Sequence, residues 1–151
     1  MDKIFMQKFG KLWSGMLVLE FGMRRYLAAK EGKAITFNLL TNIDPKAAEE
    51  ANPIPSSFKD QTYFGKLVAE FEAVSQVIVD VEISELRNIV AHGFLGENPD
   101  KSMKVLKIDG RKSPVKREFR MLTHEFMDDM IKKVSTLKDK IIVITDPLCQ
   151  F

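Results

Sequence analysis

From Asp2 to Lys30 the chain repeats one pattern: Ile4, Phe5, Phe9, Leu12, Trp13, Met16, Leu19, Met23, Tyr26 and Leu27, with polar and small residues between them. That spacing has the period of an α-helix and predicts one long amphipathic helix. A stripe of that length cannot hide itself, so the rest of the chain has to cover it. Gly32 supplies the backbone freedom that ends such a helix.

The remaining order follows from similar signals. Residues 33–60 hold Pro45, Pro53, Pro55, Asn42, Asn52 and Ser56-Ser57, which predicts a long connection with a helical turn near Lys46–Ala51. Asp60 or Thr62 is expected to cap a second helix that buries Tyr63, Phe64, Leu67, Val68, Phe71 and Val74. The chain turns at Val79–Glu82, where a short strand over Val77–Val79 is the competing reading. A third helix is expected from Ile83 to Phe94, closed by Gly93, Gly96 and Pro99. Met103–Ile108 and Val115–Leu122 read as a β-hairpin around Asp109-Gly110-Arg111. Thr123 then caps a last helix, with Phe126, Met127, Met130, Ile131, Val134, Leu137, Ile141 and Ile142 on one face and Asp146-Pro147 as its stop. The expected fold is mainly all-α: a bundle of four to five helices with a small hairpin before the last, in one domain over residues 1–151.

Composition narrows the class. With 45% hydrophobic and 29% charged residues, eleven Phe and eight Met, the chain can build a core without disulfide or metal staples. Cys149 has no partner cysteine in the chain, which fits a reducing cytoplasm. The apolar run Leu12–Leu19 is too short to span a membrane and runs into Glu20, Arg24 and Arg25 without a cleavage signal. Helix core is the better reading, and no membrane partner is expected. No His, Cys, Asp and Glu residues show metal-ligand spacing and no Gly-rich phosphate loop appears, so no cofactor is expected.

The formal net charge is +2, but its distribution is uneven. Residues 101–120 hold Lys101, Lys104, Lys107, Arg111, Lys112, Lys116, Arg117 and Arg120 against Asp109 and Glu118, a local excess of six positive charges. An overall +2 does not diagnose a polyanion partner, but Lys104, Lys107, Arg111, Lys112, Lys116 and Arg117 are the candidate contacts to the phosphates of one such as RNA. Lysines on strand edges also block edge-to-edge association, which is the plain alternative.

The third helix carries the chemistry. At about 100° per residue, Ile83, Leu86, Ile89, Val90 and Phe94 share one arc, while Ser84, Arg87, Asn88, Ala91 and His92 share the opposite one. Asn88 and His92 are i, i+4 neighbours, so the amide is placed to orient the imidazole. Arg87 stands about 140° around from His92, across the small Ala91. RNA can be cut when its own 2′-hydroxyl attacks the adjacent phosphate, so no metal-bound water is required. An imidazole can move the protons at neutral pH, and a guanidinium fork matches the phosphate oxygens of the transition state. Arg and His at this spacing are nevertheless common on ordinary surface helices. Glu85 adjoins the set, and Asp128 and Asp129 read as a solvated helix face.

The phrase Glu85-Leu86-Arg87-Asn88-Ile89-Val90-Ala91-His92-Gly93 resembles the R-N-x-x-A-H-G form of the HEPN family motif, on the penultimate core helix. Tyr63-Phe64-Gly65-Lys66-Leu67-Val68 is similar to that family's second-helix phrase. The resemblance implies a HEPN-like bundle and metal-independent endoribonuclease activity that leaves a cyclic phosphate and a 5′-hydroxyl. Arg87, Asn88 and His92 would be its catalytic residues. Such proteins occur as toxins, in antiviral systems and in RNA processing, so an antitoxin or defence partner protein is implied alongside RNA. Acid-base cleavage needs two proton carriers. The resemblance implies a homodimer that brings two motifs together, with His124 as the alternative second carrier. Other HEPN domains are non-catalytic, and the rival expectation is a domain that binds a protein or nucleotide partner.

Overall fold

A computed structural model describes residues 2–33, 56–59 and 63–149. Among them α1 spans Lys3–Lys30, α2 Ser56–Lys59, α3 Phe64–Ser75, α4 Val81–His92 and α5 His124–Thr145, with a 3-10 turn at Asp146–Cys149. Three strands, β1 Phe94–Glu97, β2 Met103–Asp109 and β3 Lys116–Met121, form one antiparallel sheet in that order. The protein is thus mostly helical with a small sheet. The expected helical turn at Lys46–Ala51 and the expected caps Asp60 and Thr62 lie outside the described residues. No helix among the described residues is long and apolar enough to cross a membrane.

The chain divides into two compact units, with divisions that fall inside α1 and α5. The first unit takes Met1–Leu17 and Val79–Thr136. Its core gathers Phe5, Leu12 and Met16 of α1, Ile83, Leu86 and Ile89 of α4, Met103 and Val105 of β2, and Met127, Met130 and Val134 of α5. Asp2 caps α1 by accepting the Phe5 N–H at 2.7 Å. Thr123 caps α5 by accepting the Phe126 N–H at 3.0 Å, as its residue type predicts.

The second unit takes Val18–Ile78 and Leu137–Phe151. Leu19, Met23 and Tyr26 are buried with Phe64, Leu67 and Phe71 of α3 and with Leu137 and Ile141. Tyr26 meets Phe71 edge to face at 5.4 Å between ring centres, a favoured aromatic geometry. Tyr63 and Val74 were expected on the buried face of this helix but are exposed. Tyr63 is the N-cap with extended backbone, so helical phase does not govern its direction, and Val74 sits in the final turn. Ile4 and Ile142 likewise face outward. Residues 76–80 are neither helix nor strand, and Gln76, in the left-handed region at φ 63°, closes α3.

The larger correction concerns the third helix. It ends at His92, and Phe94 opens β1 instead of extending the buried helical arc. Four residues are too few to display strand alternation in a sequence, so the predicted hairpin gains an unforeseen third strand. The hairpin itself runs Met103–Asp109 and Lys116–Met121, one residue from its expected limits at three of its four ends and matching at Met103.

Candidate functional site

α4 begins where Asp80 accepts the Glu82 N–H at 2.8 Å, and it buries Ile83, Leu86 and Ile89 within the first unit. Anchoring that arc turns the opposite one outward. Asn88, Ala91 and His92 are exposed, and Arg87 is half-buried with its Nε withdrawn from solvent. The helix therefore presents a sheltered guanidinium stem, an open amide and an open imidazole. The expected Asn88–His92 hydrogen bond is not formed. Neither side chain has a hydrogen-bond partner among the described residues, so both remain available to an incoming group.

His92 is the last residue of α4, and Gly93 sets how the chain leaves it. A Cβ on Gly93 would collide with the Ile89 carbonyl oxygen and come within 2.7 Å of Val105 Cγ1 and 2.9 Å of the Leu106 carbonyl oxygen. The glycine lets the end of α4 seat directly on β2, which ties the position of His92 to the sheet.

Glu85, next to the motif, has its own counter-ion. Arg120 of β3 donates through Nη2 to Glu85 at 3.4 Å and through Nη1 to Glu82 at 3.5 Å, with its guanidinium 5.6 Å from the Phe126 ring centre. Lys133 of α5 donates to Glu82 at 3.1 Å and pairs with Asp129 at 3.3 Å. Its ammonium is held above the usual lysine range, first by the Glu82 hydrogen bond and then by the Asp129 one. The acidic end of α4 is thereby balanced before any ligand arrives. Asp128 pairs with Lys8 at 2.7 Å.

His124 opens α5, half-exposed, with Nε2 3.3 Å from Asp2 Oδ2 and its ring edge-on to Phe5 at 6.4 Å. Asp2 is held below the usual carboxylate range, first by the Phe5 N–H and then by His124.

The basic residues of the sheet divide between its two faces. Lys107 stands opposite Glu118, and Asp109 opposite Lys116, on the face shared with Met103 and Val105. With Lys112 these four line a cavity of about 120 Å³. Lys116 pairs with Glu118 at 2.6 Å, and Arg111 with Asp109 at 3.2 Å, so the local positive excess is partly neutralised. Each of these two acids is held below its ordinary carboxylate value, first by that hydrogen bond. Lys104 and Arg117 lie on the other face. Two residues that the sequence reading assigned to no site, Phe94 and Phe119, stand exposed there. The available signal was the interleaving of basic and aromatic residues through Arg117, Phe119 and Arg120.

Among the described residues, no three His, Cys, Asp or Glu side chains gather as a metal-binding group. The class defined so far is a mostly helical protein whose Arg-Asn-His helix abuts a small antiparallel sheet. Comparison with models of known families, with curated proteins and with solved structures finds no match in any of the three.

Proposed function

We propose that this chain is a metal-independent endoribonuclease with a HEPN-like helical bundle, working as a homodimer. The observation that carries the reading is the presentation of Arg87, Asn88 and His92 on one arc of α4, with the amide and imidazole open to solvent. The R-N-x-x-A-H-G phrase on that helix supplies the family resemblance, and with it a toxin or antiviral setting and a regulatory partner protein.

The chemistry follows from the groups. An RNA 2′-hydroxyl attacks the adjacent phosphorus, the bond to the 5′-oxygen breaks, and a 2′,3′-cyclic phosphate and a 5′-hydroxyl result. His92 takes the 2′-hydroxyl proton, and His92 of the partner subunit delivers a proton to the departing 5′-oxygen. Arg87 neutralises the charge that builds on the phosphate oxygens, and Asn88 hydrogen-bonds the substrate beside it. Two-fold pairing supplies the second imidazole, and Ala91 and Ser84 are small enough for α4 to approach its copy. His124, engaged with Asp2 and Phe5, is a poorer second carrier than an open imidazole.

Labelled RNA incubated in EDTA tests this. Arg87→Ala and His92→Ala should each lower cleavage by roughly two to four orders of magnitude, with helical circular dichroism unchanged because neither residue belongs to the core. Cleavage products should end in a cyclic phosphate. Equal cleavage by wild type and both variants would remove the mechanism. An inactive wild type that binds protein or nucleotide would assign the chain to the non-catalytic class.

A further inference from the structure

The strand register sets a row of three apolar side chains across the sheet. Phe94 of β1 is opposite Leu106 of β2, and Leu106 is opposite Phe119 of β3. Cross-strand partners point to the same face, so the three side chains form one continuous band. Met103 and Val105, which alternate with Leu106 along β2, are buried on the other face. The band thus looks away from the core, with Phe94 68% and Phe119 67% exposed. Two strand spacings separate these residues, about 10 Å.

The charged strand residues of this face have one sign. One step along the register from the band, Lys104 lies between Gly96 and Met121; one step the other way, Arg117 lies opposite Ile108. A cation therefore flanks the aromatic row on each side, and no strand residue of this face is a carboxylate; Asp100, in the turn before β2, acts on Lys104 electrostatically. Neither Lys104 nor Arg117 makes an ion pair among the described residues. Such a surface suits an anion with flat apolar parts. A second copy docked by the same face would bring like charges together, which disfavours self-association there. A nucleic-acid duplex keeps its base faces stacked and hidden, whereas an unpaired strand can lay them on aromatic rings.

We propose that this face of the sheet is a stacking platform for single-stranded RNA. Phe94 and Phe119 each receive one unpaired base, Leu106 fills the space between them, and Lys104 and Arg117 contact the flanking phosphates. The platform also has a place relative to α4. Phe94 follows His92 by two residues, so their Cα atoms are at most about 7 Å apart. The Phe94 ring itself is on the face away from Val105, the residue against which the end of α4 packs, so a strand on the platform would reach the α4 arc by passing around the β1 edge. The choice of RNA rests on the ribonuclease reading; the platform geometry does not.

Binding, measured apart from cleavage, distinguishes the two. The probe is a short fluorescein-labelled single-stranded RNA, read by anisotropy against the His92→Ala chain so that nothing is consumed. Its perfect duplex and the single-stranded DNA of the same sequence are the comparison arms. Phe94→Ala or Phe119→Ala should weaken single-strand binding roughly 5- to 150-fold. The double Phe→Leu variant should lose it as well, and the double Phe→Tyr variant should retain it, because stacking needs a ring and not merely an apolar side chain. Lys104→Gln and Arg117→Gln should each reduce the salt slope by about 0.7, while Lys107→Gln and Lys116→Gln leave it unchanged. Wild-type affinity in the double Phe→Leu variant, duplex binding as tight as single-strand binding, or a Phe94→Ala change that alters only oligomeric state would each overturn the platform. Single-strand DNA bound as tightly as RNA by a chain that cuts no RNA would leave the platform standing as a single-strand site and remove the ribonuclease reading with its RNA assignment.

Discussion

Gly93 shows how one residue couples a helix to a sheet. In the sequence it reads as a terminator of the third helix, and the helix does end there. The structural demand is different in kind: a side chain at this position would strike the Ile89 and Leu106 carbonyl oxygens, which are backbone atoms and cannot swing aside. Gly93→Ala should therefore cost about 1–3 kcal/mol, the usual range for overpacking a tight site. A lowered urea midpoint would register it, and cleavage should fall too, because His92 is the preceding residue. A midpoint within error of wild type would mean that β2 yields easily at this contact. The same residue scale explains why the shared arc of Arg87, Asn88 and His92 was legible in advance. Their common arc depends on helical period alone, whereas the missing Asn88–His92 hydrogen bond depends on side-chain rotamers that spacing does not specify.

The helices show which signals are local. Thr123 caps α5, as its residue type announces, and Asp80 caps α4 through a bond just as local, where the sequence was read only as a turn over Val79–Glu82. Asp2 does the same for α1 and has a pH consequence. Its carboxyl is depressed in the folded chain, first by the Phe5 N–H and next by His124. The unfolded chain takes up that proton at higher pH, so the stabilisation is complete above the unfolded value and is lost as pH falls through the lower folded one. Asp2→Ala should thus lower the urea midpoint at neutral pH. Its difference from wild type should shrink once the pH falls below about 3.9; a gap that stays constant into strong acid would remove the linkage. The sheet behaves otherwise. Its alternation was visible, but which face would be buried depended on where α4 lands, and β1 is too short to announce itself.

At the scale of the molecule, two compact units each gather their own core. The first contains the α4 arc and the sheet. The proposed chemistry assigns one His92 per chain to a two-histidine reaction, so assembly becomes part of the mechanism. Light scattering should report a dimer at micromolar concentration. Adding Arg87→Ala chains to wild type should change activity through mixed dimers once subunits exchange. A fully active monomer would overturn the shared site and return His124 to consideration as the second proton carrier.

What the sequence determined by itself is what repeats at short range. The long first helix, the capped last helix, the hairpin strands and the polar arc of the third helix all follow from periodicity and residue type. Those preferences act within a few residues and need no partner. Only the tertiary structure decided the rest, because contacts far apart in the chain are involved. It sent Phe94 into a strand, turned Phe119 outward, placed Arg120 and Lys133 on the acids of α4, and parted Lys104 and Arg117 from the lysines that face Asp109 and Glu118. A strand shows that its two faces differ but not which one is covered. That choice was made by the helix that docked against Val105, through a glycine small enough to let it.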